Sequence, residues 1–236
     1  VFFYDPTFIL LVPAILLSLW ASFRVNSVFK KYARVPVSSR MTGARVAEEI
    51  LRSAGIASAG ADGGGLAVQE GGGFLGDYYD PVKKKINLSS EVFRGASISA
   101  VGVAAHESGH ALQDAAGYAP LKLRSSLLPL ANIGSMGAPF LFMLGFIFQS
   151  GASRIMMDAG IFLFSAAVLF YLVTLPIEFD ASRRAVQVLA AEGFITGEEV
   201  RGVREVLSAA AMTYVAAALM AVLELIRFLI LRGERD

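Results

Sequence analysis

Apolar residues along this chain gather into long uninterrupted stretches, and four of them are long enough to cross a bilayer. The first covers residues 4–25: positions 8–23 carry no charge, Asp5 precedes them, and Arg24, Lys30, Lys31 and Arg34 follow. A cleaved leader places its positive charge before the apolar run, so this order predicts a retained span with its N-terminus outside. Residues 127–148 are the clearest span, uncharged and entered from Lys122 and Arg124. A short connection, with Arg154 as its one basic residue, leads to a third span at 159–177. The fourth, 206–231, is uncharged as far as position 223; Glu224 and Arg227 follow, three apart, and read as a pair near the membrane surface. Arg232 and Arg235 beyond it run against the positive-inside trend.

Between the first two spans the pattern changes, and residues 26–124 read as a soluble α+β insertion. Thr42 caps a predicted helix running to Ala54, with Val46, Ala47, Ile50 and Leu51 at helical spacing and Gly55 as its stop. Positions 57–73 hold two glycine triplets without the lysine and Ser/Thr of a phosphate loop, and predict a connection with a short strand at 66–69. Positions 74–79 and 84–88, either side of Asp80-Pro81-Val82-Lys83, predict strand, turn and strand. Lys83, Lys84 and Lys85 then read as a charged edge or a contact with anionic headgroups. Residues 97–116, closed by Gly117, predict a helix crowded with small residues, among them Ala100, Gly102, Ala104, Ala105, Ser108 and Gly109. A glycine inside a helix costs about 1 kcal/mol against alanine, which close approach of another helix or of substrate would explain. Past the third span, 176–191 predicts a helix with Glu178, Ala181, Ser182 and Ala185 on one face, and Thr196 with Glu199 forms a capping box for the last helix.

Composition agrees with this pattern. Apolar residues are 55% of the chain, charged ones 17%, and mean hydropathy is +0.59. A net charge of +1 offers nothing to a nucleic acid, and the absence of cysteine excludes a disulfide framework. The expectation is a mainly α integral membrane protein, one unit over residues 1–236, with about four transmembrane helices and a soluble insertion.

The insertion carries His106-Glu107-Ser108-Gly109-His110. Histidines four apart share one helix face and can reach one metal ion, while Glu107 lies about 100° around the helix, beside the metal's open position. The chain has only two histidines, so this motif arises by chance roughly once in two thousand such sequences. With no third histidine and no cysteine, a further protein ligand on zinc must be a carboxylate. Glu178 competes for that role with Asp180, Glu192, Asp114, Asp77 and Asp80. Two crossings of the membrane return Glu178 to the side of the histidines, and the small residues on its face suit contact with the equally small histidine helix. Asp114, four beyond His110, reads either as a partner for that imidazole or as a solvated helix end.

The motif, Gly117-Tyr118-Ala119-Pro120-Leu121-Lys122-Leu123-Arg124-Ser125 and Leu175-Pro176-Ile177-Glu178-Phe179-Asp180-Ala181-Ser182-Arg183-Arg184-Ala185 together resemble the YugP-type neutral zinc metallopeptidases of prokaryotic membranes. The similarity extends from Tyr4-Asp5-Pro6 to the fourth span. That family in turn resembles the HtpX-type membrane peptidases, where a glutamate opening an E-F-x-A-D type segment is the third zinc ligand, a position matched by Glu178. Ser182 stands where the HtpX pattern has an acidic residue, so no carboxylate buttress carries over there. Tyr78 stands where YugP-type relatives often have histidine, so no role for that position carries over either.

The resemblance implies a gluzincin-like peptidase with one Zn²⁺ per chain held by His106, His110 and Glu178 and with Glu107 as general base. It implies a multi-pass protein of the prokaryotic cell membrane acting on peptides or membrane proteins, with its site expected at the cytoplasmic face. Arg183, Arg184, Tyr118 and Tyr78 are candidate donors to an oxyanion, and Asp114 and Asp180 candidate supports of the ligands. Two alternatives remain: a membrane scaffold that keeps a structural zinc, against which the intact Glu107 argues, and a zinc-dependent amidase on a non-peptide substrate.

Overall fold

The computed structural model describes residues 6–56, 65–71, 76–148 and 152–234. Expectations for positions 4–5, 57–64, 72–75 and 149–151 and for Arg235 lie outside the described residues. A 3-10 turn at Pro6–Leu11 leads into α1 (Val12–Ala33), followed by α2 (Gly43–Ser53), β1 (Ala67–Gly71), β2 (Tyr78–Asp80) and β3 (Lys85–Ser89). Then come α3 (Ser90–Arg94), α4 (Ile98–Ala115), α5 (Ala119–Ile147), α6 (Ser153–Ala191) and α7 (Glu198–Gly233). The protein is mainly helical, and among the described residues four helical stretches are long and apolar enough to cross a membrane: Pro6–Ala33, α5, α6 and α7.

Local chemistry accounts for the element ends. The Thr42 hydroxyl accepts from Arg45 N–H at 3.3 Å, and Gly55 follows α2 at φ +69°, a left-handed turn that glycine adopts without strain. Ser97 caps α4 by accepting from Ala100 N–H at 3.2 Å, and Gly117 (φ +66°) ends it. One half of the capping box before α7 forms: Thr196 N–H donates to the Glu199 carboxylate at 2.9 Å, which also accepts from Ser38 N–H and hydroxyl, while Glu199 N–H donates to the Thr196 main-chain carbonyl at 2.9 Å. Two helices outrun the apolar runs that predicted them. α5 begins at Ala119 with Pro120 in its first turn, where a missing N–H costs nothing. α6 continues through Pro176, so the helix expected at 176–191 is the end of a 39-residue one.

The chain divides into two compact units. One comprises Val1–Ser22, Ala119–Pro176 and Met212–Asp236. Its core joins Ala131, Ala138, Phe142, Met157, Phe164 and Phe228, with the Phe142 and Phe228 rings stacked 4.4 Å apart. Its helices also carry exposed large apolar side chains, such as Ile133, Met136 and Phe140 on α5 and Ile155 and Phe162 on α6. The expected pair of Arg227 and Glu224 forms at 2.9 Å, and Arg227 also donates to Thr7 and lies 3.9 Å from the centre of the Phe8 ring.

The other unit, Phe23–Tyr118 with Ile177–Ala211, contains a three-stranded sheet in the order β1-β3-β2. β2 runs antiparallel to β3 through the expected turn, where the Asp80 carboxylate accepts from Val82 and Lys83 N–H, both at 2.9 Å. β1, spanning Ala67–Gly71 where a strand at 66–69 is expected, pairs parallel with β3, Val68 opposite Ile86. α4 is buried on two sides. Val101 and Ala105 join Ile50, Ala185, Leu189, Val203 and Leu207, while Ala104 and Ala111 join Leu51, Ile86, Leu88 and Val92. A helix enclosed in this way has room only for small side chains over most of its surface, which is the reason for the composition of α4.

Candidate metal centre

α4 and the C-terminal part of α6 meet closely enough to bring their polar groups together. A Cβ on Gly109 would stand 2.5 Å from the Ala181 carbonyl oxygen, closer than any side chain tolerates, so glycine permits this crossing. Ala181 and Ala185, both fully buried, form the α6 side of the seam. On that face Glu178 is 2% exposed and points its carboxylate at both histidines. Its Oε2 lies 3.2 Å from His106 Nε2 and 3.6 Å from His110 Nε2. The two imidazoles stand edge to face, 4.8 Å between ring centres. One ligand atom from each of His106, His110 and Glu178 falls within 4.8 Å of the others.

The far nitrogen of each ring is also engaged. His106 Nδ1 lies 3.1 Å from the Ser182 hydroxyl, and His110 Nδ1 lies 3.0 Å from the Gln113 amide oxygen. Anchoring Nδ1 in this way presents Nε2 to a metal, the arrangement that orients imidazole ligands in metalloproteins. Two imidazoles and a carboxylate form a donor set suited to Zn²⁺. Burial disfavours a charged His110, but the Glu178 and Glu107 carboxylates outweigh it and raise its pKa above the ordinary histidine value. Glu107, 8% exposed on the same helix, makes no hydrogen bond or ion pair among the described residues, so its carboxylate is uncommitted.

The remaining candidates fall into two groups. Asp180 is 7% exposed and accepts from Gln113 at 3.0 Å, from Arg184 Nε at 2.6 Å and from Arg183. Both arginines, which the sequence offers as candidate oxyanion donors or as a positive-inside anchor just past the third span, are thus engaged by a carboxylate two residues from Glu178, and Arg184 also lies 5.8 Å from the centre of the Tyr118 ring. Asp114 accepts from Tyr79 at 2.6 Å and from Lys84, tying α4 to β2 and its turn. Burial, together with the hydrogen bond to Asp114, raises the pKa of the Tyr79 hydroxyl. The Nδ1 contact of His110, for which Asp114 was a candidate, is made by Gln113. Tyr78 sits on β2 opposite Asn87. Gln113 was not singled out from sequence: a polar residue three beyond a motif histidine carries no signal until its distant partners are known.

Two histidines on one helix and a carboxylate from a second helix form a cluster that could hold a zinc ion. The chain belongs to the family described as "Putative neutral zinc metallopeptidase", whose pattern it matches over residues 7–233. It is 46% identical over 222 residues, 94% of each chain, to the "Putative membrane protease YugP" of Bacillus subtilis (strain 168). No solved structure matches it.

Proposed function

We propose that this protein is a zinc endopeptidase of the prokaryotic cell membrane whose site works at the cytoplasmic face. The observation that carries the proposal is the convergence of both histidine Nε2 atoms on the Glu178 carboxylate, with the Glu107 carboxylate left uncommitted on the same helix. His106, His110 and Glu178 would hold one zinc ion per chain. Bound there, zinc would supply a Lewis acid that acidifies water and polarises a carbonyl.

Glu107 takes the proton of the attacking water on its carboxylate and delivers it to the amine nitrogen of the departing peptide. His110, pinned through Nδ1, and His106 keep Nε2 turned inward. β2 is an edge strand tied to α4 through Tyr79 and Asp114, so its outer main-chain groups suit an extended peptide. The name of the Bacillus relative, "Putative membrane protease YugP", supports a protein substrate in or at the bilayer. The basic residues Arg24, Lys30, Lys31, Lys122 and Arg124 beside the apolar segments support the cytoplasmic side.

The test is Glu107→Gln on the detergent-solubilised full chain, with zinc content and hydrolysis of an unfolded protein substrate both measured. Zinc retained near one per chain, with hydrolysis lower by about 10²-fold or more, is the expected result. Undiminished hydrolysis would remove Glu107 from the chemistry, and a parent free of metal after zinc is supplied would defeat the proposal.

A further inference from the structure

Gln113 is fully buried, and its side chain touches three groups. Nε2 lies 2.8 Å from the Ile177 carbonyl oxygen and 3.0 Å from Asp180 Oδ2, and Oε1 lies 3.0 Å from His110 Nδ1. The two ends of an amide look alike in shape but not in chemistry, so its partners decide which way it faces. A carbonyl oxygen only accepts. Asp180, held by the guanidinium groups of Arg183 and Arg184, is a carboxylate and also only accepts. The NH₂ of Gln113 must therefore face α6, which leaves its oxygen toward the imidazole. An amide oxygen cannot donate, so the hydrogen of this contact sits on His110 Nδ1.

His106 has no such constraint. Its Nδ1 faces the Ser182 hydroxyl, which both donates and accepts and turns to suit either tautomer.

From this network we propose that Gln113 is a positioning residue that fixes the tautomer of His110. Through Ile177 and Asp180 it also sets the register between the histidine helix and the segment bearing Glu178. The relay runs from Arg183 and Arg184 through Asp180 and Gln113 to His110, and it leaves Nε2, the nitrogen on the Glu178 side, to hold the metal. The inference rests on the metal reading above, and it assigns these residues a role in holding the metal rather than in the bond-breaking step.

With only two histidines in the chain, ¹⁵N spectra of labelled imidazoles resolve each ring. In the zinc-loaded parent, His110 is expected to carry hydrogen on Nδ1 and to show the metal-bound shift at Nε2. Gln113→Met keeps the side-chain length but neither hydrogen-bonding end. Zinc affinity, read by competition with a chromophoric chelator, is expected to fall about 10–100-fold while cooperative thermal unfolding is retained. A general loss of packing would not move the tautomer, so a mixed or exchanging His110 signal in the variant separates positioning from structural support.

Zinc affinity within twofold of the parent, or a parent whose His110 binds through Nδ1, overturns the inference and leaves the peptidase reading standing. A parent that binds no zinc overturns both. If Gln113→Met does not fold, the spectrum of the zinc-free parent decides: hydrogen held on Nδ1 without the metal supports the relay, and neutral imidazole with its hydrogen on Nε2 removes it.

Discussion

Two seams between helices use the same packing device for different ends. In one unit, α5 lies against α6 through glycines: a Cβ on Gly134 would collide with the Leu163 carbonyl oxygen, and one on Gly160 would stand 3.0 Å from the Ala138 carbonyl oxygen. Around these contacts are Ala167, Phe142 and Phe164, all apolar. In the other unit, α4 lies against the C-terminal part of α6 through Gly109 and Ala181, but His106, His110, Gln113, Glu178 and Asp180 flank that contact. Lipid offers no hydrophobic drive between helices, so the first seam must rely on tight packing. The second accepts buried charge, which is tolerable only because nearly every buried polar group there has a partner. Small residues determine how near two helices come; the residues beside them determine what that nearness is for.

The largest effect should come from removing the carboxylate of the second seam. Glu178→Ala leaves two imidazoles as protein ligands, and zinc affinity should drop by more than the roughly 100-fold seen when a supporting residue is lost. Competition with a chelator measures it. Binding equal to the parent would show that the seam does not bring a ligand to the metal, with Asp180 the next carboxylate to test.

The paired alanine variants of the two seams sharpen the contrast. Gly109→Ala and Gly134→Ala each push a methyl against a backbone oxygen and should each cost about 1–3 kcal/mol, read as a lower Tm in detergent. Only Gly109→Ala should also weaken zinc binding, because only there does the helix spacing set the distances between ligands. If Gly134→Ala weakened zinc binding to the same degree, the contrast between the seams would fail.

What could be read from sequence follows the range of the physics involved. The histidine motif, the cap at Thr42, and the face shared by Glu178, Ala181, Ser182 and Ala185 depend on helix periodicity and on neighbours within four residues. The same holds for Gly109, where a local cost implied a partner, later found as Ala181. Gln113 depends on Ile177 and Asp180, more than sixty positions away, and nothing nearby marks it. The parallel pairing of β1 with β3 is likewise a long-range choice of register that short strands do not encode. Proline does not end the helices it falls in. Pro176, Pro129 and Pro139 all lie inside helices, where proline ordinarily signals a boundary; in apolar helices packing can compensate for the lost backbone bond, and the helix continues.

The smallest expected effect separates the two histidines within one seam. Ser182→Ala removes the hydroxyl at His106 Nδ1 without adding bulk, and a buried surface of Ala181 and Ala185 accommodates another alanine. Tm should change little, since the site is already built of small residues. Zinc affinity should fall about tenfold, at the weak end of the range for lost supporting contacts. The reason is the chemistry of the two partners: a hydroxyl that turns freely constrains its imidazole less than an amide held by two acceptors. Water can also replace a hydroxyl beside His106, whose side chain is 14% exposed, more readily than it can replace an amide in the fully buried place of Gln113. A loss as large as that of Gln113→Met would mean that both rings are held equally firmly, and that the asymmetry between hydroxyl and amide has no bearing on metal affinity.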